Sequence, residues 1–156
     1  MKLTAFTDYS LRVLVYLAAE PARRATIAEI SNAFEVSENH LTKVVHFLGK
    51  QGWIDTLRGK GGGIALSMRA ADICVGNVVR DTEGAAVPAE CFAPNESHCA
   101  IVQHCRLKGV LAEAVKAFYA VLDQYTLADI SRNKQALLSV LHIHGPASPK
   151  KSETSR

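Results

Sequence analysis

Apolar positions along the first 70 residues change period several times, and each change marks an element. Leu3, Phe6, Val13, Leu14 and Leu17 recur at helical spacing and predict a helix over residues 4–19, ended by Pro21. Thr26-Ile-Ala-Glu29 has the form of a capping box, in which hydroxyl and carboxylate each satisfy an orphan backbone N–H. A short second helix is therefore expected to run to about Ala33. Phe34-Glu35-Val36 reads as a turn and Ser37 as the next N-cap. In the third helix Leu41, Val44, Val45 and Leu48 form one stripe, while Glu38, Asn39, Thr42, Lys43 and Lys50 lie off it and Gly52 stops it. Trp53–Leu57 and Ile64–Leu66 then read as strands joined by Arg58-Gly-Lys-Gly-Gly-Gly63, a hairpin wing.

Beyond the wing, Ala71–Thr82 reads as a helix, and residues 84–104, with Pro88 and Pro94, as a long loop. Leu107, Leu111, Ala114, Phe118, Val121 and Tyr125 alternate steps of four and three, a heptad-like seam on a helix of roughly 19 residues. Such a helix suits a self-pairing arm, because the N-terminal module is complete without it. Thr126 is expected to cap a final short helix through Val140, and residues 145–156 read as a disordered tail.

Charge separates these regions. Residues 1–70 carry nine Lys/Arg against six Asp/Glu, residues 71–144 six against eight, and residues 145–156 three against one. The N-terminal half is thus the part suited to a polyanion. The apolar run Val13–Ala19 is too short to span a bilayer, and Asp8 and Arg12 before it do not suit a secretory signal. A cytoplasmic protein with no membrane partner is expected, with its four cysteines kept reduced. The absence of a Cys-x-x-Cys pair, a nucleophile–base pair and a nucleotide loop argues against an enzyme.

Two constellations carry chemistry. The N-terminal end of a recognition helix reads base edges in the major groove, and here Ser37, Asn39, His40 and Lys43 occupy it. Arg58, Lys60 and Gly61 form a basic glycine tip suited to a minor groove. The competing reading is a helical hairpin for protein contacts. The second constellation is Cys91-x7-Cys99-x5-Cys105. Structural zinc pairs are usually closer, and wide spacing lets one loop wrap a larger cofactor such as an iron–sulfur cluster. A Cys3His zinc site with His98 or His104, or three unliganded thiols, are the alternatives. Cys74, on the side of its helix that carries Val78, reads as a buried structural thiol.

The stretches LTAFTDYSLRVLVYLA, RGKGGGIAL, the three-cysteine loop, CRLKGVLAEAV and LDQYTLADI together resemble the NsrR-type nitric-oxide-sensing repressors, iron–sulfur winged-helix regulators of the same family as IscR. The resemblance covers about residues 1–140. It implies a mainly α fold: a winged helix-turn-helix with a β-hairpin wing over residues 1–83, a cluster-binding loop at 84–105, and a dimerisation helix with a C-terminal helix over 106–144. It also implies a homodimer on an A·T-rich inverted repeat of double-stranded DNA, with nitric oxide as the signal that releases repression. The implied cofactor is one cluster per subunit, 4Fe–4S ahead of 2Fe–2S, on Cys91, Cys99 and Cys105. Asp8 matches an aspartate that serves some members as a fourth ligand from the other subunit, with Glu90, His98 and His104 as its rivals. A sibling regulator of iron–sulfur or redox status, or a zinc-stabilised DNA-binding module, is the alternative function.

Overall fold

The computed structural model describes residues 2–59, 61–84, 89–92 and 99–143. Lys60, His98, Pro88, Pro94 and the tail 145–156 lie outside the described residues, as does the side chain of Glu90. The helices are α1 (Ala5–Ala19), α2 (Ile27–Phe34), α3 (Glu38–Lys50), α4 (Val75–Glu83), α5 (Arg106–Leu122), α6 (Leu127–Ile130) and α7 (Lys134–Val140); the strands are β1 (Ile54–Leu57) and β2 (Gly63–Leu66).

Helix α1 is the hub of the core. Val13 and Leu14 are fully buried, and the helix packs on α2, α3, α4, α6, α7 and β2. It stops at Ala19 because Glu20, which precedes Pro21, leaves the helical region at φ -135° and ψ 75°. Phe6 meets Phe47 of α3 edge-on, with ring centroids 5.2 Å apart. Two polar side chains are buried on α1, and both are satisfied locally. Ser10 Oγ donates to the Phe6 carbonyl at 2.8 Å, and the Thr7 hydroxyl lies 3.1 Å from that of Thr4.

The capping box at Thr26 forms as expected, with both reciprocal bonds present. Glu35 closes α2 in the left-handed region at φ 53°. Leu41, Val44, Val45 and Leu48 are the buried residues of α3, as their spacing requires. Ser37 holds the N-cap position, but its hydroxyl makes no capping bond; its carbonyl accepts from the N–H groups of His40 and Leu41. The antiparallel hairpin pairs Ile54 with Leu66 and Leu57 with Gly63. Its base is pinned by a backbone bridge in which Ala25 and Ile64 exchange bonds of 2.9 and 2.7 Å. A Cβ at Gly63 would stand 2.8 Å from the Ala25 carbonyl oxygen, so this bridge requires glycine there.

The second half departs from expectation in three places. The helix expected over Ala71–Thr82 is a 3-10 turn at Ala70–Asp72 followed by α4. The break falls where the backbones of Ile73 and Val75 bond to Leu127 and Tyr125, a strap between segments distant in sequence. Cys74 sits on that strap as the N-cap of α4. It is half-buried, with Sγ 3.8 Å from the Asp123 carbonyl, rather than a core thiol. The expected final helix is two: α6, opened by a capping box between Thr126 and Asp129, and α7 after an interruption at residues 131–133.

Helix α5 has 17 residues, none of them buried. It packs on α4, where Arg80 forks onto the two Asp123 oxygens at 2.6 and 2.7 Å and lies over the Tyr119 ring at 4.5 Å. A Cβ on Gly76 would come 2.0 Å from Asp123 Oδ1, so a side chain at residue 76 would have to push this half-exposed carboxylate out of the fork. Gly76→Ala is therefore expected to displace the fork, so that Asp123→Ala lowers the urea midpoint less in that background than in the wild type. An equal effect in both backgrounds would contradict this account of how α5 is seated.

Candidate functional site

Two surfaces carry the residues singled out above. On the first, Ser37, Asn39, His40 and Lys43 are all exposed at the N-terminal end of α3, and Arg58 and Gly61 are exposed at the wing tip. The apolar stripe that buries Leu41 and Val44 holds this polar face outward. His40 is less available than its exposure suggests. Its ring stacks on Tyr9 with centroids 6.2 Å apart, and it walls an apolar niche of about 180 Å³ with Phe6 and Lys43. The glycine turn at the tip closes with a bond of 2.9 Å from Gly62 N–H to the Gly59 carbonyl. Arg24 is a cation that pattern reading missed. It is exposed at the foot of the wing and donates to the Gly63 carbonyl at 3.3 Å; nothing in local periodicity pairs a residue before α2 with the wing.

The second surface is a cavity of about 230 Å³ at the start of α5. Cys91, Cys99 and Cys105 all line it, and Ile101, Leu107 and Leu111 supply apolar wall. Cys91 lies in a short 3-10 turn at Glu90–Phe92, the Cys99 carbonyl accepts from Val102 N–H at 3.2 Å, and Cys105 is the N-cap of α5. No side chain caps that N-terminus, so its backbone N–H groups present positive potential beside Cys105. Lys108, which spacing did not single out, lines the same cavity with its ammonium 5.9 Å from the Phe92 ring centre. Soft thiol donors, a cation and an open helix N-terminus make a setting that accommodates an anionic, thiolate-bound group.

Among the described residues, no three His, Cys, Asp or Glu side chains converge as ligands of one metal ion. The three thiols line one cavity instead. His104 is exposed in the turn Val102–His104 and does not line the cavity. Asp8 does not line the cavity of its own chain either. Both of its oxygens are engaged by Arg12, at 3.1 and 2.8 Å.

A helix-turn-helix with a glycine-tipped wing, followed by a thiol cavity on a protruding helix, defines a winged-helix regulator. The chain belongs to the Rrf2 family, described as an iron-dependent transcriptional regulator, which matches residues 3–133. It is 49% identical to the HTH-type transcriptional regulator NsrR of Bacillus subtilis, over 92% of this chain and 99% of that protein. It is 46% identical to the NsrR of Geobacillus kaustophilus, over 90% and 97%. Among solved structures it is similar to T. potens IscR (TM-score 0.69, 25% identity, 85% of this chain and 88% of that one) and to the global cysteine regulator CymR of B. subtilis (TM-score 0.65, 25% identity, 85% and 98%). The chain is a transcriptional regulator and not an enzyme. Among the described residues no helix is long and apolar enough to cross a membrane.

Arg58→Ala is expected to weaken DNA binding and to reduce the preference for A·T-rich over G·C-rich flanks. An unchanged affinity and flank preference would remove Arg58 from the interface.

Proposed function

We propose that the chain is a cytoplasmic, homodimeric repressor of nitric-oxide response genes, and that an iron–sulfur cluster on Cys91, Cys99 and Cys105 controls its hold on DNA. The observation that carries this reading is the meeting of all three thiols around one cavity at the N-terminus of α5. Relatives that match this chain over nearly their whole length bear the name NsrR. Self-pairing through α5 is supported by its apolar exposure: Leu107 is 61%, Val110 60% and Val121 54% exposed.

In this reading Ser37, Asn39, His40 and Lys43 meet a major groove, while Arg58, Lys60 and Gly61 meet an adjacent minor groove of an A·T-rich inverted repeat. A dimer sets the spacing between its two recognition helices to that of the half-sites. Cys91, Cys99 and Cys105 hold one 4Fe–4S cluster per subunit, and Asp8 of the second subunit completes it once its pair with Arg12 opens. When bound, the cluster supplies irons open to nitric oxide. Held by Cys91, Cys99 and Cys105, the group would tie the loop to the start of α5, and without that tie the two winged modules would lose their common register. Emptying an operator from 99% to 1% occupancy needs a change of about 10⁴ in affinity, roughly 5.5 kcal/mol.

The test is the visible absorption of anaerobically purified protein before and after stoichiometric nitric oxide. A brown protein that nitric oxide bleaches, with the colour absent in Cys105→Ser, is expected. A colourless protein containing zinc, or no metal after reconstitution, would overturn the reading. Asp8→Ala is expected to form a cluster that oxygen destroys faster; the same oxygen sensitivity as wild type would exclude Asp8 as a ligand.

A further inference from the structure

We infer that the last turn of α4 is the coupling element between the thiol loop and the DNA-binding surfaces, acting through Asp81 on Trp53 and through Glu83 on Thr4. The inference deepens the proposed function and rests on it. Three nearly consecutive side chains of that turn reach three different elements. Arg80 forks onto Asp123 at the C-terminal end of α5. Asp81 Oδ2 accepts from the Trp53 indole N–H at 3.0 Å, one residue before β1 of the wing. Glu83 Oε1 accepts from the Thr4 N–H at 2.9 Å and the Thr4 hydroxyl at 3.1 Å, at the N-cap of α1. Gly84 follows at φ 55°, and from there the chain leads to Cys91.

These contacts are specific in direction. An indole has one donor, and Asp81 holds it. Thr4 caps α1, the helix that carries Asp8 and Tyr9, and Tyr9 in turn stacks on His40 of the recognition helix. Partial burial alone would raise the Glu83 pKa, but hydrogen bonds from Thr7 and Thr4 outweigh it and hold the carboxyl below its ordinary value. Exposed contacts of this kind add little to global stability. They fix the orientation of α4 relative to the wing and α1, so a shift of α5 or of the chain after Gly84 reaches both.

A double-mutant cycle measures such coupling directly. Trp53→Phe and Asp81→Ala, singly and together, are compared in the ratio of operator affinity between cluster-loaded and cluster-free full-length protein. Glu83→Ala tests the second branch, and Asp72→Ala, which breaks an exposed pair with Arg69, is the control. Each coupling variant is expected to lower the ratio at least about 5-fold, with no further loss in the Trp53/Asp81 double variant and an unchanged visible spectrum. A ratio preserved in the variants, or equal losses in both forms, overturns the inference while leaving the proposed function standing. A wild-type ratio of one sinks the proposed function itself, and the inference with it. Because the chain has a single tryptophan, its one indole N–H resonance gives a check without any variant. Its hydrogen-exchange rate is expected to differ between cluster-loaded and cluster-free protein, and identical rates overturn the coupling through Asp81.

Discussion

The junction of α4 with α5 is the constraint on which the arrangement of the two surfaces depends. Arg80 and Asp123 form a forked pair over Tyr119, and Gly76 leaves room for the Asp123 carboxylate in this geometry. Hydrogen bonding by Arg80 holds the Asp123 carboxyl below its ordinary pKa, so the pair stays charged through the neutral range. Cys105 opens α5 and Asp123 closes it. A rigid helix of 17 residues therefore transmits the position of its far end to the cavity at its start. With the seat of α5 fixed, the cysteine cavity stands in a defined place relative to α1, α3 and the wing.

In the proposed function the cavity holds a negatively charged group without a dense basic cluster. Thiolates ligating such a group would bring negative charge that the hydrophobic walls at Ile101, Leu107 and Leu111 cannot solvate. The uncapped N-terminus of α5 and Lys108 offset it. In the proposed function the same cavity makes the group accessible, because its walls come from one loop and one helix face and not from the core. In the same proposal Asp8 would add a second control: Arg12 occupies both carboxylate oxygens, so ligation by Asp8 of a second subunit would be exchanged against an existing ion pair.

Much of this was legible in residue order, and for physical reasons. The stripe on α3, the box at Thr26 and the glycine tip depend on neighbours within a turn or a hairpin, and local spacing records them. The split at Ile73 was not legible, because Ile73 bonds to Leu127 across more than 50 positions and no local pattern announces that strap. For the same reason Cys74 looked like a core thiol, although it serves as a half-buried N-cap on the strap. The Thr126–Asp129 box carries the same signature as Thr26–Glu29 with a shorter acid, and it divides what period alone joined into one helix. The three thiols were identifiable by their chemistry. Lys108 was not, since a lone lysine on a charged helix carries no mark until the fold places it on the cavity wall.

The measurement that bears most directly on the central claim is the affinity of the protein for an A·T-rich inverted repeat at fixed salt, taken with cluster, without cluster and after nitric oxide. Tight binding only in the first case, weakened by about 10⁴ in the other two, is what the account predicts. The same affinity in all three would contradict it: the chain would then be a winged-helix DNA binder whose thiol cavity does not govern its grip.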